Sequence, residues 1–205
     1  CQGLLEFWQE SGDDSLLRAV EKTVCQLARD EVNLAGGASA GEVWYHGAQK
    51  QHLPYIHQQE TCVTITWMRL LSKLIGITGK AKYADELEKT FYNAYLASLN
   101  RRCDEFAAYT PLDGSRSSGH RHCRMHTNCC NANGPRGFLT FLRSLIRAEG
   151  DAAIMDFYAS ATEVVTIPAL GRDISFEVFT DYPQNGRVRI QCRTAGSYVL
   201  SLRIP

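Results

Sequence analysis

"SGDDSLLRAVEKTV", Ser11 to Val24, returns along the chain as "TGKAKYADELEKTF", Thr78 to Phe91, at an offset of 67 residues. Each copy has a small hydroxyl residue, a glycine, a short turn, an apolar anchor and then Glu-Lys-Thr. A glycine at that place closes one helix, and the next begins after a short loop. The repeated unit is therefore predicted to be a helical hairpin, and a recurring hairpin buries its apolar face on its neighbours. A period of 67 is long for a solenoid and suits two hairpins per period in a toroid of paired helices. Chance likeness between two amphipathic helices is the competing account.

Outward from the repeat, apolar residues at spacings of three and four predict helices over four stretches. These are 14–29 (Leu16, Val20, Val24, Leu27), Glu60 to about Ile77 (Ile65, Met68, Leu71, Leu74), 81–99 (Tyr83, Leu87, Phe91, Tyr95) and 135–147 (Phe138, Phe141, Leu142, Leu145). After Glu149-Gly150 the pattern alternates and is rich in β-branched and aromatic residues: "TEVVTI", "ISFEVFTDYP", "GRVRIQCR", "YVLSLRIP". "PQNG" is a turn in which Asn185-Gly186 is expected to supply positive φ. The predicted class is mainly α with a β portion, helices over 1–150 and the first strands of an antiparallel β-sandwich over 151–205. The chain begins at Cys1 inside a helical pattern and ends on a strand without an evident partner, so it is expected to be a piece of a longer protein.

With 205 residues and 44% apolar content the composition is that of a globular protein. Lys plus Arg equals Asp plus Glu at 22 each, which argues against a nucleic-acid partner. No apolar run reaches the ~18–20 residues of a membrane span. Eight cysteines in this length are too sparse for a disulfide-stapled scaffold. Cys25, on a helix, and Cys192, in a strand, are expected to be buried and inert.

Three of the other cysteines fall in two stretches, "QETC" (Gln59–Cys62) and "NCCNANGPRG" (Asn128–Gly137). Glu60 and Cys62 do not share a helix face, but they can converge at a helix's first, irregular turn, where the dipole favours anions. Cys129 and Cys130 can address one ion if the backbone there is non-helical. Three sulfurs and a carboxylate suit tetrahedral Zn²⁺. On residue type and spacing alone, a capping Glu with three free thiols stands beside that reading. His120, His122 and His126 cluster with Cys123 and compete as ligands, though such a loop reads equally as a solvated turn. His46, His52 and His57 precede Glu60 and are open to a substrate role. In "LAGGASAGEVW", Leu34 to Trp44, small residues are expected to leave open backbone before Glu42. A carboxyl beside Trp44 and Tyr45 can have its pKa raised, as a general acid needs.

"GGASAGE", "QETC", "KYADELEKTFYNAYL", "YTPL" and "CCNANGPRG", in that order, resemble glycoside hydrolase family 127, the β-L-arabinofuranosidase family. The resemblance runs on through "DYPQNGRVRI" and "LSLRIP". It implies part of an (α/α)₆ barrel followed by a β-sandwich, and zinc held by Glu60, Cys62, Cys129 and Cys130. It implies Cys129 as nucleophile, Glu42 as acid/base, Glu88 as a contact to a substrate hydroxyl and Tyr109 as a lining of the sugar pocket. The partner implied is an oligosaccharide or glycan. The stretch from Glu42 to Glu60 is longer than in the family pattern, and "NANGP" replaces a proline pair, so the branch is divergent and its sugar is left open. Asn133 and Arg136 are expected to anchor the loop rather than react. Two other classes stay in view: a carbohydrate-binding or structural module with a stabilising zinc, and a redox-active vicinal dithiol. The compartment is left open, since zinc would protect the thiols in a periplasm as reduction does in a cytoplasm.

Overall fold

The computed structural model describes residues 1–53, 57–118 and 129–205. Helices α1 (Gln2–Ser11) and α2 (Asp14–Asp30) form one hairpin; α4 (Thr61–Thr78) and α5 (Ala81–Lys89) form another, with the short α3 (Gly47–Lys50) between them. Gly12 and Gly79, matched in the repeat, both adopt left-handed φ (68° and 63°) and donate their N–H to Trp8 O and Ile75 O. The repeat is thus a structural one. The hairpins also stack in register. Lys73 of α4 pairs with Glu6 of α1, and Lys80 pairs with Glu21 of α2. Tyr83 donates its hydroxyl to the same Glu21 at 2.7 Å. Leu5, Val20 and Val24 from the first hairpin join Ile65, Met68, Leu71 and Leu74 from the second in one buried cluster.

Helix α5 continues through a π-helical turn (Thr90–Tyr95) into α6 (Leu96–Ser98), so the helix expected over 81–99 is present with one widened turn. Strands β1 (Ala107–Tyr109) and β2 (Ser117–Ser118) pair antiparallel. Then come α7 (Cys129–Asn133) and α8 (Pro135–Leu142), with Pro135 opening α8, where a missing N–H costs nothing. The helix predicted to reach 147 stops at Leu142, and Ile146 and Arg147 begin β3 (Ile146–Glu149). A short apolar run reads as either helix or strand, and Leu145 packs into the helical core from the turn between them.

Strand β3 pairs antiparallel with β4 (Ala152–Met155). Strands β5 (Ala161–Ile167), β6 (Arg172–Thr180) and β7 (Val188–Cys192) form a second, antiparallel sheet. The last strand, β8 (Val199–Leu202), joins the first sheet beside β4, parallel to it, with Ala152 opposite Val199. Two expectations change here. The final strand has its partner within the chain, and not every pairing is antiparallel. Alternation along a strand says which face is buried; it carries no information on the direction of the neighbour. Ala153 from the first sheet and Val165, Ile167, Ile174 and Phe176 from the second share one apolar layer.

Three local readings are corrected. Neither Asn185 nor Gly186 takes positive φ. Instead, the Asn185 side chain accepts from Arg187 N at 2.9 Å and Gln184 N donates to Asp181 O at 2.8 Å. Cys25 and Cys192 are exposed, not buried. Cys25 falls just outside the inward stripe of α2 and faces Lys82 of α5, whose Nζ is 3.5 Å from its sulfur.

Helices and sheets are joined by Arg203, immediately after β8. Its guanidinium pairs with Asp85 (2.8 Å) and Glu88 (2.7 Å) on α5 and donates to Asp156 O (2.7 Å). Asp156 also pairs with Arg147 at 2.7 Å. Arg203 is buried, so removing it strands the Glu88 and Asp156 groups away from water. Arg203→Ala is expected to cost about 3–5 kcal/mol in urea-unfolding measurements.

Candidate active site

The site begins at the N-terminus of α4. Glu60 is its N-cap, with extended backbone (φ −61°, ψ 128°), and Cys62 lies in the first turn. That is the irregular geometry the two residues need to converge. Gln59, one residue earlier, has a positive φ of 53°, and its side-chain amide donates to Thr110 O at 2.7 Å. Thr61 donates to Ala107 O at 2.7 Å. Bridge pairings of Glu60 with Tyr109 and of Gln58 with Ala40 complete a small three-way ladder. The start of α4 is thereby fixed to β1 on one side and to the loop carrying Glu42 on the other.

The adjacent cysteines arrive on α7. They sit on a helical turn, not on the non-helical backbone expected for them. Convergence comes from packing instead. Asn131 Oδ1 accepts from Phe106 N at 2.9 Å, which ties α7 to the segment entering β1. Tyr95 donates to Gly134 O at 2.7 Å and accepts from Phe138 N at 3.1 Å, which fixes the break between α7 and α8. Gly134 lies against the Phe106 ring and Gly137 against the Tyr95 ring, with no room for a Cβ at either place. Arg136 reaches Asn133 Oδ1 at 3.4 Å, an anchoring contact within the loop.

The outcome is one cluster. Ligand atoms of Glu60, Cys62, Cys129 and Cys130 all lie within 4.8 Å of one another. The sulfurs of Cys62 and Cys129 are 3.6 Å apart. Cys130 is fully buried, while Cys129 is an exposed residue. Glu60 Oε2 is buried with no hydrogen-bond partner among the described residues. A buried carboxylate oxygen left without a donor, beside three sulfurs, is a donor set that could hold a metal ion.

Burial raises these groups first, and neighbouring acids and thiols add to it. Burial, then the neighbouring Cys62 and Glu42, raise the Glu60 pKa from its ordinary 4.5 to about 7. Burial and Cys62 push Cys129 up as well. The hydrogen bond to Cys62 and then burial push Cys130 far above the usual thiol range. Tyr109 is raised by burial and by the charges of Glu60 and Glu42, which keeps its phenol protonated.

Glu42 is exposed, has a positive φ of 66°, and stands close enough to act electrostatically on both Glu60 and Tyr109. The glycine-rich stretch before it is not open backbone. A Cβ on Gly36 (φ 89°) would stand 2.7 Å from Thr90 Cα, and Thr90 donates its hydroxyl to Gly36 O at 3.0 Å. Gly37 is pressed against Gln59. The residues are small because the loop lies directly on the helices. His57, one of three histidines left open by the sequence, stacks on Tyr109 with ring centroids 4.7 Å apart, and its carbonyl accepts from Gly41 N. His46 turns the other way, toward Glu31. His120, His122, Cys123 and His126 lie outside the described residues.

Glu88 stands apart from the cluster, paired with Arg203. Helix α5 folds back on α4 at Gly79, which puts Glu88 about 15 Å along the helix axes from the level of Glu60. The structure thus gathers Glu42, Glu60, Cys62, Tyr109, Cys129 and Cys130, and it pairs Glu88 with Arg203.

Comparison with known proteins gives the family and the likeness of fold. Residues 1–143 match the family model for the β-L-arabinofuranosidase GH127 catalytic domain, and the chain belongs to that family. Among solved structures it is similar to a GH127 β-arabinofuranosidase designated BT3674 (TM-score 0.83, 24% identity, 99% of this chain and 32% of that one). It is similar also to a GH127 β-L-arabinofuranosidase from Geobacillus stearothermophilus T6 (TM-score 0.76, 21% identity, 98% and 34%). A third, described as a glycoside hydrolase, gives a TM-score of 0.77 at 20% identity over 99% and 38%. The chain spans about a third of the length of these structures, and the likeness is one of fold. No curated protein matches the chain.

The raised Glu60 pKa has a measurable consequence in metal-free protein. The folded chain holds this proton up to about pH 7, whereas the unfolded chain releases it near 4.5. Folding therefore binds a proton in that window, and the contribution is complete below about pH 4.5 and lost as pH rises through 7. The expected loss is about 3 kcal/mol, read as a falling urea midpoint in the presence of chelator. Glu60→Gln should flatten that slope.

Proposed function

We propose that the protein is a retaining glycoside hydrolase acting on plant-type glycans, with a β-L-arabinofuranoside or a related sugar as substrate. In this reading residues 1–150 form the later part of an (α/α)₆ catalytic barrel and 151–205 the start of a β-sandwich. The observation that carries it is the convergence of Glu60, Cys62, Cys129 and Cys130 within 4.8 Å, in a chain that matches a GH127 catalytic domain.

Glu60, Cys62, Cys129 and Cys130 would hold Zn²⁺, which when bound keeps the sulfurs ionised at neutral pH and lowers their basicity. Cys129 is the nucleophile in this reading, as the family resemblance implies, and its being the exposed member of the adjacent pair, with Cys130 buried, supports that choice. The Cys129 sulfur forms a bond to the anomeric carbon as the glycosidic C–O bond breaks, and Glu42 gives its proton to the departing oxygen. Glu42, now a carboxylate, takes a proton from water; the water oxygen bonds to the anomeric carbon and the C–S bond breaks, returning the thiolate. Two displacements retain the anomeric configuration. Glu42 suits both roles because it is exposed beside the cluster. Tyr109 stays protonated and offers the sugar a hydrogen-bond donor, with His57 stacked behind its ring. Glu88, the sugar-hydroxyl contact implied by the resemblance, would have to share its carboxylate with Arg203.

Metal analysis is expected to give one Zn²⁺ per chain. Cys129→Ala should abolish turnover of an aryl β-L-arabinofuranoside while circular dichroism stays unchanged. Glu42→Gln should lower turnover about 10²–10⁴-fold. Full activity in Cys129→Ala would rule out the mechanism. Zinc-loaded intact enzyme, with the whole barrel present, that hydrolyses no pentofuranoside would point instead to a structural zinc module.

A further inference from the structure

Glu42 rides on a loop whose backbone is costly to keep. Ser39, Glu42 and His46 hold φ of 68°, 66° and 61°, left-handed values that a residue with a Cβ retains only where its surroundings enforce them. The limb that enters Glu42 is enforced by the segment just before Glu60. Gln59 N donates to Ser39 O at 3.1 Å, and Gly41 N donates to His57 O at 2.9 Å. Ala40 and Val43 then exchange backbone hydrogen bonds of 3.1 and 3.3 Å across the turn. The limb that leaves Glu42 has a different holder.

That holder is Glu31, the residue after α2, whose N–H donates to Leu27 O at 2.9 Å. Glu31 is buried, and its Oε2 accepts from the amides of Tyr45, His46 and Gly47 at 3.0, 2.9 and 3.4 Å. Successive backbone N–H groups converging on one oxygen form a nest for an anion, here filled by the chain's own carboxylate. Bonds to an ionised acceptor are roughly twice as strong as neutral ones, so this is a firm clamp. Gly47 completes it. A Cβ there would stand 2.6 Å from Glu31 O, so the loop lies directly on the end of α2. Two exposed residues, Val43 and Trp44, are all that separate Glu42 from the clamp.

We propose that Glu31 is a positioning residue for the acid/base. Through the amides of residues 45–47 it fixes the limb that sets where the Glu42 carboxyl stands relative to the metal-type cluster. The inference rests on the reading of Glu42 as the acid/base. Glu31 touches no reacting atom; losing it misplaces Glu42, and a shift of about 1 Å in a catalytic group can cost about 10²-fold.

The test uses the intact enzyme and compares 4-nitrophenyl and methyl β-L-arabinofuranosides. Nitrophenoxide departs with little help from an acid, whereas the methyl glycoside needs its oxygen protonated as the bond breaks. The ratio kcat/KM reports on that bond-breaking step. Glu31→Ala should lower kcat/KM for the methyl glycoside about 10–100-fold and for the nitrophenyl glycoside less than about threefold. Glu31→Gln keeps an acceptor oxygen and is expected to fall between. Gly47→Ala pushes the loop off the end of α2 with the carboxylate still present, and should give the same selective loss even if Glu31→Ala fails to fold. In a Glu42→Gln background none of these changes should cost more than about twofold further. Equal losses on both glycosides, or no loss in any variant, would overturn the proposal. Hydrogen exchange separates the clamp from the glycosidase reading. In Glu31→Gln the amides of Tyr45, His46 and Gly47 should exchange at least about tenfold faster, with those of α4 unchanged. Unchanged exchange sinks the clamp whatever the kinetics. Faster exchange in an enzyme that hydrolyses neither glycoside keeps Glu31 as the holder of this loop and sinks the glycosidase reading alone.

Discussion

Four groups that can each carry negative charge are forced within 4.8 Å of one another, and most of the surrounding architecture answers to that constraint. Without a cation, burial together with the neighbouring acid and thiol groups raises Glu60 and the two adjacent cysteines above their ordinary range, so the cluster holds its protons. With a divalent ion the same crowding becomes favourable, since each ionised ligand faces a positive centre rather than another anion. The N-terminus of the 18-residue α4 adds a positive dipole at the same place.

Holding such a cluster requires stiff walls. Two short elements, α7 and β1, have few backbone hydrogen bonds of their own, so side chains from long helices supply the rest. Tyr95 spans the break between α7 and α8, and Thr61 and Gln59 pin the strand that carries Tyr109. Thr90 performs the same service for the loop leading to Glu42. These residues touch no reacting atom in the proposed mechanism. They set the distances on which it depends, at the precision that packed interiors allow.

Much of the helical part was legible before any coordinates. The 67-residue repeat located both hairpins and both closing glycines, because a helix must end with its last carbonyls satisfied and glycine does that locally. The cysteine and glutamate set was legible by residue type and by family resemblance, down to the pairing of "QETC" with the adjacent cysteines. Less legible were features that depend on a distant partner: the end of α8, the parallel pairing of β8, and the exposure of Cys25 and Cys192. Periodicity reports which face turns inward; it is silent on what lies across from it. The small residues before Glu42 were visible as small, but their cause, contact with Thr90 and Gln59, was not.

The sequence by itself determined the helical hairpins, the change to strands near residue 149 and the residue types available to the cluster. All three rest on interactions within a few residues or on the chemistry of single side chains. Only the tertiary structure decided that Glu60, Cys62, Cys129 and Cys130 meet, that His57 backs Tyr109 and that Glu88 pairs with Arg203. Those outcomes join residues tens of positions apart, and the packing of α7 and β1 on the start of α4 is what closes the distance between them.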